Sequence, residues 1–190
     1  YELEEVIVDG ARVEVLGDSY TFGDVQKNHE ILVRYEKKVF SVETEVVNGE
    51  ITEGGTVEYG DDYTVRFEAD EGYELAEVLV DGISAEVSGD SYEFSGVAGN
   101  HQIKVVYKKI VHTISTGVIN GEISDGGTVE YGDDYAVSFN PNEGYELVGI
   151  MVDGETKGIL GGEDSYAFRN VREDHEIFVE YTIKKFMVGT

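Results

Sequence analysis

Residues 54–75 read GGTVEYGDDYTVRFEADEGYEL, and residues 126–147 read GGTVEYGDDYAVSFNPNEGYEL. Either the adjacent aspartates do chemistry in both places, or they belong to a building unit used more than once. The pattern of change decides. The phrases differ only at Thr64/Ala136, Arg66/Ser138, Glu68/Asn140, Ala69/Pro141 and Asp70/Asn142. In YTVRF, Tyr63, Val65 and Phe67 alternate with Thr64 and Arg66, the period-two pattern of a strand with one buried face. The first three differences fall on outward positions of that strand and the last two in the turn after it. The inward set is unchanged. A repeated core with a variable outer face accounts for this, and it places Asp61-Asp62 and Asp133-Asp134 at a hairpin tip between alternating strands.

The repetition extends well beyond these phrases. YELEEVIVDG begins at residue 1, YELAEVLVDG at 73 and YELVGIMVDG at 145, a spacing of 72 residues. GDSYTFGDV (17–25), GDSYEFSGV (89–97) and EDSYAFRNV (163–171) follow, then NHEILVRYEKK, NHQIKVVYKK and DHEIFVEYTIKK. Two extra residues in the third copy fall in the Gly-rich ILGGED, where a loop tolerates them. A self-similar period of this length marks a repeat architecture. The expected division is the C-terminal part of repeat 1 (1–37), repeat 2 (38–109), repeat 3 (110–183) and the start of a following strand (184–190). The chain opens inside a unit, so it is expected to be a piece of a longer protein.

Apolar residues alternate throughout: Ile31, Val33, Tyr35; Ile103, Val105, Tyr107; Ile177, Val179, Tyr181. No stretch carries the 3.6-residue period of a useful amphipathic helix. Asn48-Gly49 and Asn120-Gly121 suit a type I′ hairpin, which needs positive φ at both residues. The pairs Asp9-Gly10, Asp81-Gly82 and Asp153-Gly154 mark further reversals. The only proline, Pro141, falls at a strand end. Each unit reads as six or seven short strands. The fold class is all-β: tandem small β-sandwich-like modules of about 72 residues in an elongated array.

Composition narrows function by exclusion. Of 190 residues, 41% are hydrophobic and 28% charged, which suits a folded chain rather than a disordered one. A net charge of −26 would repel phosphate backbones and anionic bilayers, so neither nucleic acid nor membrane is an expected partner. No apolar run approaches the roughly 18–20 residues that span a bilayer. Without cysteine there is no disulfide framework and no thiolate zinc site.

Candidate sites yield little chemistry. Calcium takes six to eight oxygens; one Asp pair cannot supply them alone, and no D-x-D-x-D-G loop occurs. Asp in turns bonds its own backbone, so the pairs read as turn formers, and calcium is the sole cofactor left to test. His29, His101 and His175 recur once per unit just before a strand, with His112 separate; one His per module does not make a zinc site. No G-x-S-x-G elbow or phosphate-cradling loop appears. No catalytic, cofactor-binding or metal residue is assigned, and an enzyme is not expected. Lys37-Lys38, Lys108-Lys109 and Lys184-Lys185 stand where one unit runs into the next. YKKIVHTIS has no Gly, Ser or Pro spacer, so units should be joined stiffly.

The order GG-T-V, Y-G-D, Y-x-V-x-F, D-E-G-Y-x-L, V-x-V-D-G, then S-Y-x-F and N-H-x-I-x-V-x-Y, carried by residues 54–82 and 91–107 and again by 126–154 and 165–181, resembles the divergent internalin-B-type B-repeat of bacterial surface proteins. The resemblance implies β-grasp-like modules as the alternative fold, and a non-enzymatic repeat region of a cell-surface or secreted bacterial protein, extracellular, acting as a semi-rigid stalk or spacer. The alternative is an adhesive module for a host protein or glycan. Neighbouring repeats are the partners it implies in either case.

Overall fold

The computed structural model describes residues 1–158 and 164–188. All but Asp164 of the lengthened ILGGED segment (159–164) lies outside the described residues, as do residues 189 and 190. The described chain contains strands and no helix, the all-β class its alternation calls for. Repeat 1 supplies β1 (Glu2–Val8), β2 (Ala11–Val13) and β3 (Ile31–Glu36). Repeat 2 supplies β4 (Val39–Val47), β5 (Gly49–Ile51), β6 (Gly55–Glu58), β7 (Tyr63–Ala69), β8 (Tyr73–Val80), β9 (Ile83–Ser84), β10 (Ser91–Phe94) and β11 (His101–Lys109). Repeat 3 repeats this series as β12 (Val111–Ile119), β13 (Gly121–Ile123), β14 (Gly127–Glu130), β15 (Tyr135–Pro141), β16 (Tyr145–Val152), β17 (Glu155–Lys157), β18 (Ser165–Phe168) and β19 (His175–Ile183).

The chain forms two compact units, Tyr1–Glu68 with Glu77–Val106 and Ala69–Ala76 with Tyr107–Thr190. In the second, β14-β12-β19-β16-β17 form a five-stranded sheet and β13-β15-β18 a three-stranded one. Both feed one core. Ile114, Ile150, Val152, Ile177, Val179 and Tyr181 come from the larger sheet, and Val137, Phe139 and Phe168 from the smaller. At the centre of the larger sheet β12 and β19 run parallel, from Ile114 opposite His175 to Ile119 opposite Glu180. The other pairs are antiparallel. Two facing sheets meet the sandwich expectation. A mixed sheet whose first and last strands pair in parallel is the feature that belongs to the β-grasp-like alternative, with a small sheet where a helix would lie.

Repeat 2 has the same two sheets, β10-β7-β5 the small one and β6-β4-β11-β8-β9 the large one. Residues equivalent to the repeat 3 core are again buried, among them Val42, Val57, Val65, Phe67, Val78, Phe94, Ile103 and Val105. Repeat 1 holds only the sheet β2-β1-β3. Tyr20 and Phe22 keep the edge-to-face contact that Tyr92 and Phe94 make, 5.0 Å between centroids in each case, but lie in no strand. A strand needs a neighbour, and repeat 1 contains no counterpart of β7.

Two turn expectations are corrected. Asn48 and Asn120 have φ of 60° and 62°, but Gly49 and Gly121 do not share the left-handed region, so neither pair is a type I′ hairpin. Each asparagine is a single left-handed step at which the chain leaves the large sheet for the small one. Type I′ signs appear instead at the Asp-Gly pairs, φ 51° and 83° at Asp9-Gly10, 51° and 78° at Asp81-Gly82, 52° and 77° at Asp153-Gly154. They close the hairpins β1–β2, β8–β9 and β16–β17. The twin aspartates also do not cap a hairpin. β6 and β7 belong to different sheets, as do β14 and β15, so each Gly-Asp-Asp turn carries the chain between layers.

Candidate functional site

The twin-aspartate turns come first because sequence repetition singled them out. Gly60, at φ 86°, donates its N–H to the Val97 carbonyl at 2.8 Å, and Val97 donates back to Asp61 O at 3.0 Å. Asp62 Oδ1 accepts the Gly96 N–H at 2.8 Å. Asp61 turns the other way, to Lys37 Nζ at 3.2 Å, which also meets Glu58 Oε2 at 3.1 Å. Repeat 3 reproduces each link. Gly132 donates to Val171 O and Val171 donates back to Asp133 O, Asp134 Oδ1 accepts the Asn170 N–H at 2.9 Å, and Lys109 lies 3.2 Å from Glu130 and 3.5 Å from Asp133. Arg169 adds a bond to Asp134 Oδ2.

Local charge follows this geometry. Lys37 is held above the usual ammonium range, first by its bond to Glu58 and then by that to Asp61; Lys109 is raised by Glu130 and by the charge of Asp133. The Arg169 bond, then the Asn170 N–H, holds Asp134 below the usual carboxylate range. Within each pair, one carboxylate faces a lysine and the other a backbone N–H. They diverge, and a cation needs convergence. Among the described residues no group of three or more His, Asp or Glu side chains is arranged to hold a metal.

The histidines have partners that the sequence reading missed. His29, His101 and His175 set Nδ1 against Asp9, Asp81 and Asp153 at 2.7, 2.8 and 2.8 Å. The other carboxylate oxygen of each Asp accepts the N–H of the residue after the histidine, at 3.0, 2.9 and 2.9 Å. Each ring also lies 4.8–5.0 Å from Phe22, Phe94 or Phe168. The bond from the Glu30 N–H lowers the pKa of Asp9 first, with His29 adding to it. At Asp81 and Asp153 partial burial opposes ionisation, yet the backbone N–H and the ring outweigh it and the pKa falls. One signal was legible: the Asp-Gly and the His recur together, and their separation lengthens by two in the third copy while the bond persists.

An Asp–His pair is two-thirds of a hydrolytic triad, so a nucleophile must be sought. Ser41 lines the same open depression as Asp81 and His101. Its hydroxyl makes no hydrogen bond to the ring, and its backbone N–H meets Asn100 Oδ1 at 3.0 Å. In repeat 3 the equivalent residue is Thr113, whose N–H meets Asp174 in the same way. Nucleophile–base contact is the minimum for such chemistry, and neither repeat shows it.

A third cluster lies within the second unit. The backbone at Gly72 lies flat against Tyr131; a β-carbon there would stand 2.2 Å from the ring. The Tyr131 hydroxyl donates to Glu71 Oε1 at 2.7 Å, which raises its pKa, and Arg172 donates to the same oxygen at 2.8 Å. The Arg172 guanidinium stands 5.4 Å from the ring centroid, within cation–π range. Ile110 is held on both sides, its N–H by Gly72 O and its carbonyl by Tyr131 N, each at 2.9 Å. No known family model matches the chain, and a search of curated proteins returns no match.

Proposed function

We propose that this chain is a non-enzymatic repeat region of a bacterial cell-surface or secreted protein, working outside the cell as a semi-rigid stalk or spacer. The observation that carries the proposal is that the recurrent polar residues are used internally. Asp62 and Asp134 clip loops, Asp61 and Asp133 meet junction lysines, and Asp9, Asp81 and Asp153 fix histidines. A scaffold repeated for its shape would be built this way. The sequence resemblance to internalin-B-type repeats supports the extracellular setting. Short connections support stiffness: two residues separate β3 from β4 and one, Ile110, separates β11 from β12. Neighbouring repeats are the partners this reading requires.

Small-angle scattering on the whole chain tests the spacer. An elongated particle whose maximum dimension stays constant from low to high salt is expected. A compact particle, or one whose dimensions spread with salt as independent beads would, contradicts it.

A further inference from the structure

The repeats offer an internal control for surface function: a position that changes character in one copy, while the core beneath it is kept, answers to something other than folding. The outer face of the large sheet changes in this way. In repeat 2 its centre is an ion pair, Lys104 Nζ to Glu45 Oε1 at 2.6 Å. In repeat 3 the same two positions are Phe178 and Gly117, adjacent across β12 and β19. Glu77 becomes Gly149 and Ala76 becomes Val148, while Leu79 becomes Met151, opposite Phe178 on β16. At the same time Gln102 and Val106 become Glu176 and Glu180, flanking Phe178 along its own strand. Relative to repeat 2, an internally satisfied charge pair has become an apolar centre between two carboxylates; repeat 1 carries Leu32 and Glu30 at the positions of Phe178 and Glu176, but Arg34 at that of Glu180.

The detailed shape follows from the two glycines. A β-carbon at Gly117 would stand 2.7 Å from Phe178 Cδ2, so that glycine lets the ring lie down over β12. Nothing lies within 4 Å of where a β-carbon of Gly149 would be, so the other glycine leaves space. Beside Phe178 and Gly149 is an open hollow of about 190 Å³, also lined by Val148, Met151, Thr156 and Glu180. Val148 and Met151 are 45% and 41% exposed. Ligand pockets for whole small molecules run to about 300–1,000 Å³. This one is the size for a single side chain. Among the described residues no cation pairs with Glu176 or Glu180.

We propose that this face of repeat 3 is a docking site for a basic peptide segment of another protein, one apolar side chain entering the hollow beside Phe178 and flanking Lys or Arg residues meeting Glu176 and Glu180. Charge selects this occupant. The chain carries a net charge of −26, and the rim carboxylates are unpaired, so an apolar residue bracketed by cations gains at both the centre and the edge. A neutral sugar would find few polar groups converging on the hollow, and a second copy of so acidic a chain would be repelled. The site goes beyond the spacer reading and does not depend on it.

An NMR titration of the whole chain with the peptide Lys-Leu-Lys-Leu-Lys tests the site, with Glu-Leu-Glu-Leu-Glu and an N-acetylglucosamine oligomer as comparison probes. The basic peptide is expected to give saturable shifts centred on Gly149, Met151, Phe178 and Glu180, weakening with salt, while the other two give none there. Gly149→Glu, which writes the repeat 2 residue into open space, should weaken binding by about tenfold or more, with the thermal melt unchanged. The double variant Gly117→Glu/Phe178→Lys, which restores the repeat 2 ion pair, should abolish it. Equal shifts on the repeat 2 sheet or at carboxylates everywhere would reduce the effect to bulk charge and overturn the proposal. So would saturable binding of the sugar oligomer in place of the peptide, or no saturable binding of the peptide at all.

Discussion

Strands β3 and β19 are written in the same pattern and have opposite surroundings. Ile177, Val179 and Tyr181 of β19 are 0%, 0% and 2% exposed; Ile31, Val33 and Tyr35 of β3 are 43%, 40% and 62% exposed. The alternation and the antiparallel partner are alike, β1 for β3 and β16 for β19. What differs is the first half of the module. β19 pairs in parallel with β12 and is covered by β13, β15 and β18; repeat 1 contains no equivalent of β12, β13 or β15, and its counterpart of β18, residues 19–22, forms no strand. A period-two pattern therefore states which face a strand would bury. Burial itself is conferred by the opposing sheet. The 72-residue period is a unit of sequence, and the two-layer module is the unit of stability.

The difference can be sharpened most strongly in the core. Phe139→Ala should cost about 3–5 kcal/mol, since the ring is buried between the two sheets of repeat 3. Val33→Ala, at the β3 position equivalent to Val179, should change stability by no more than about 0.5 kcal/mol. Chemical denaturation of both variants checks this; equal losses would mean that the Val33 face of β3 is packed as tightly as the core of repeat 3.

A smaller effect separates repeat 3 from repeat 2. His112 Nε2 is buried without a hydrogen-bond partner, and its Nδ1 lies 3.5 Å from Asp174. Repeat 2 carries Phe40 at that position. Replacing His112 with Phe removes an orphaned polar atom while keeping an aromatic ring, and should raise stability by about 1 kcal/mol. A lower melting temperature would show that the contact with Asp174 outweighs the orphan.

The smallest effect concerns pH and is shared by all three repeats. Asp9, Asp81 and Asp153 have folded-state pKa values below the ordinary 3.8. Protonation is then harder in the folded state than in the unfolded one. Their contribution is fully present above the unfolded value and is lost as pH falls through the folded one, so the window lies below about pH 4. Asp81→Asn/Asp153→Asn keeps an acceptor oxygen and removes the charge. Its stability should fall less steeply than that of the parent between pH 5 and 2, roughly the span over which such carboxylates titrate. Parallel curves would assign the acid sensitivity to other carboxylates.

Much of this fold is legible in the sequence because side-chain alternation is a local property. Val65, Phe67, Val137 and Phe139 are inward where the pattern puts them, and β15 ends at Pro141. Pairing is not local. Ile103 on β11 lies beside Thr44 on β4, and nothing in either strand states that they run parallel. For the same reason the Gly-Asp-Asp turns read as hairpin tips, when they are passages between sheets. The Asp–His pairs were missed because each residue, taken singly, suits a turn or a strand entry; their constant association across copies was the available signal. The apolar centre at Phe178 was hidden because alternation assigns β19 an outer face without saying what that face meets.

The central claim is that the duplicated acidic phrase builds scaffold, with Asp62 and Asp134 clipping the loops that lead away from β10 and β18. Thermal unfolding of Asp62→Ala/Asp134→Ala beside the parent chain, each in calcium and in chelator, tests it most directly. The account predicts a variant that melts lower, because the Gly96 and Asn170 N–H groups lose their acceptors, and a parent whose melting temperature is the same in both solutions. A variant that melts like the parent in chelator, together with a parent stabilised by calcium and a variant that is not, would contradict it.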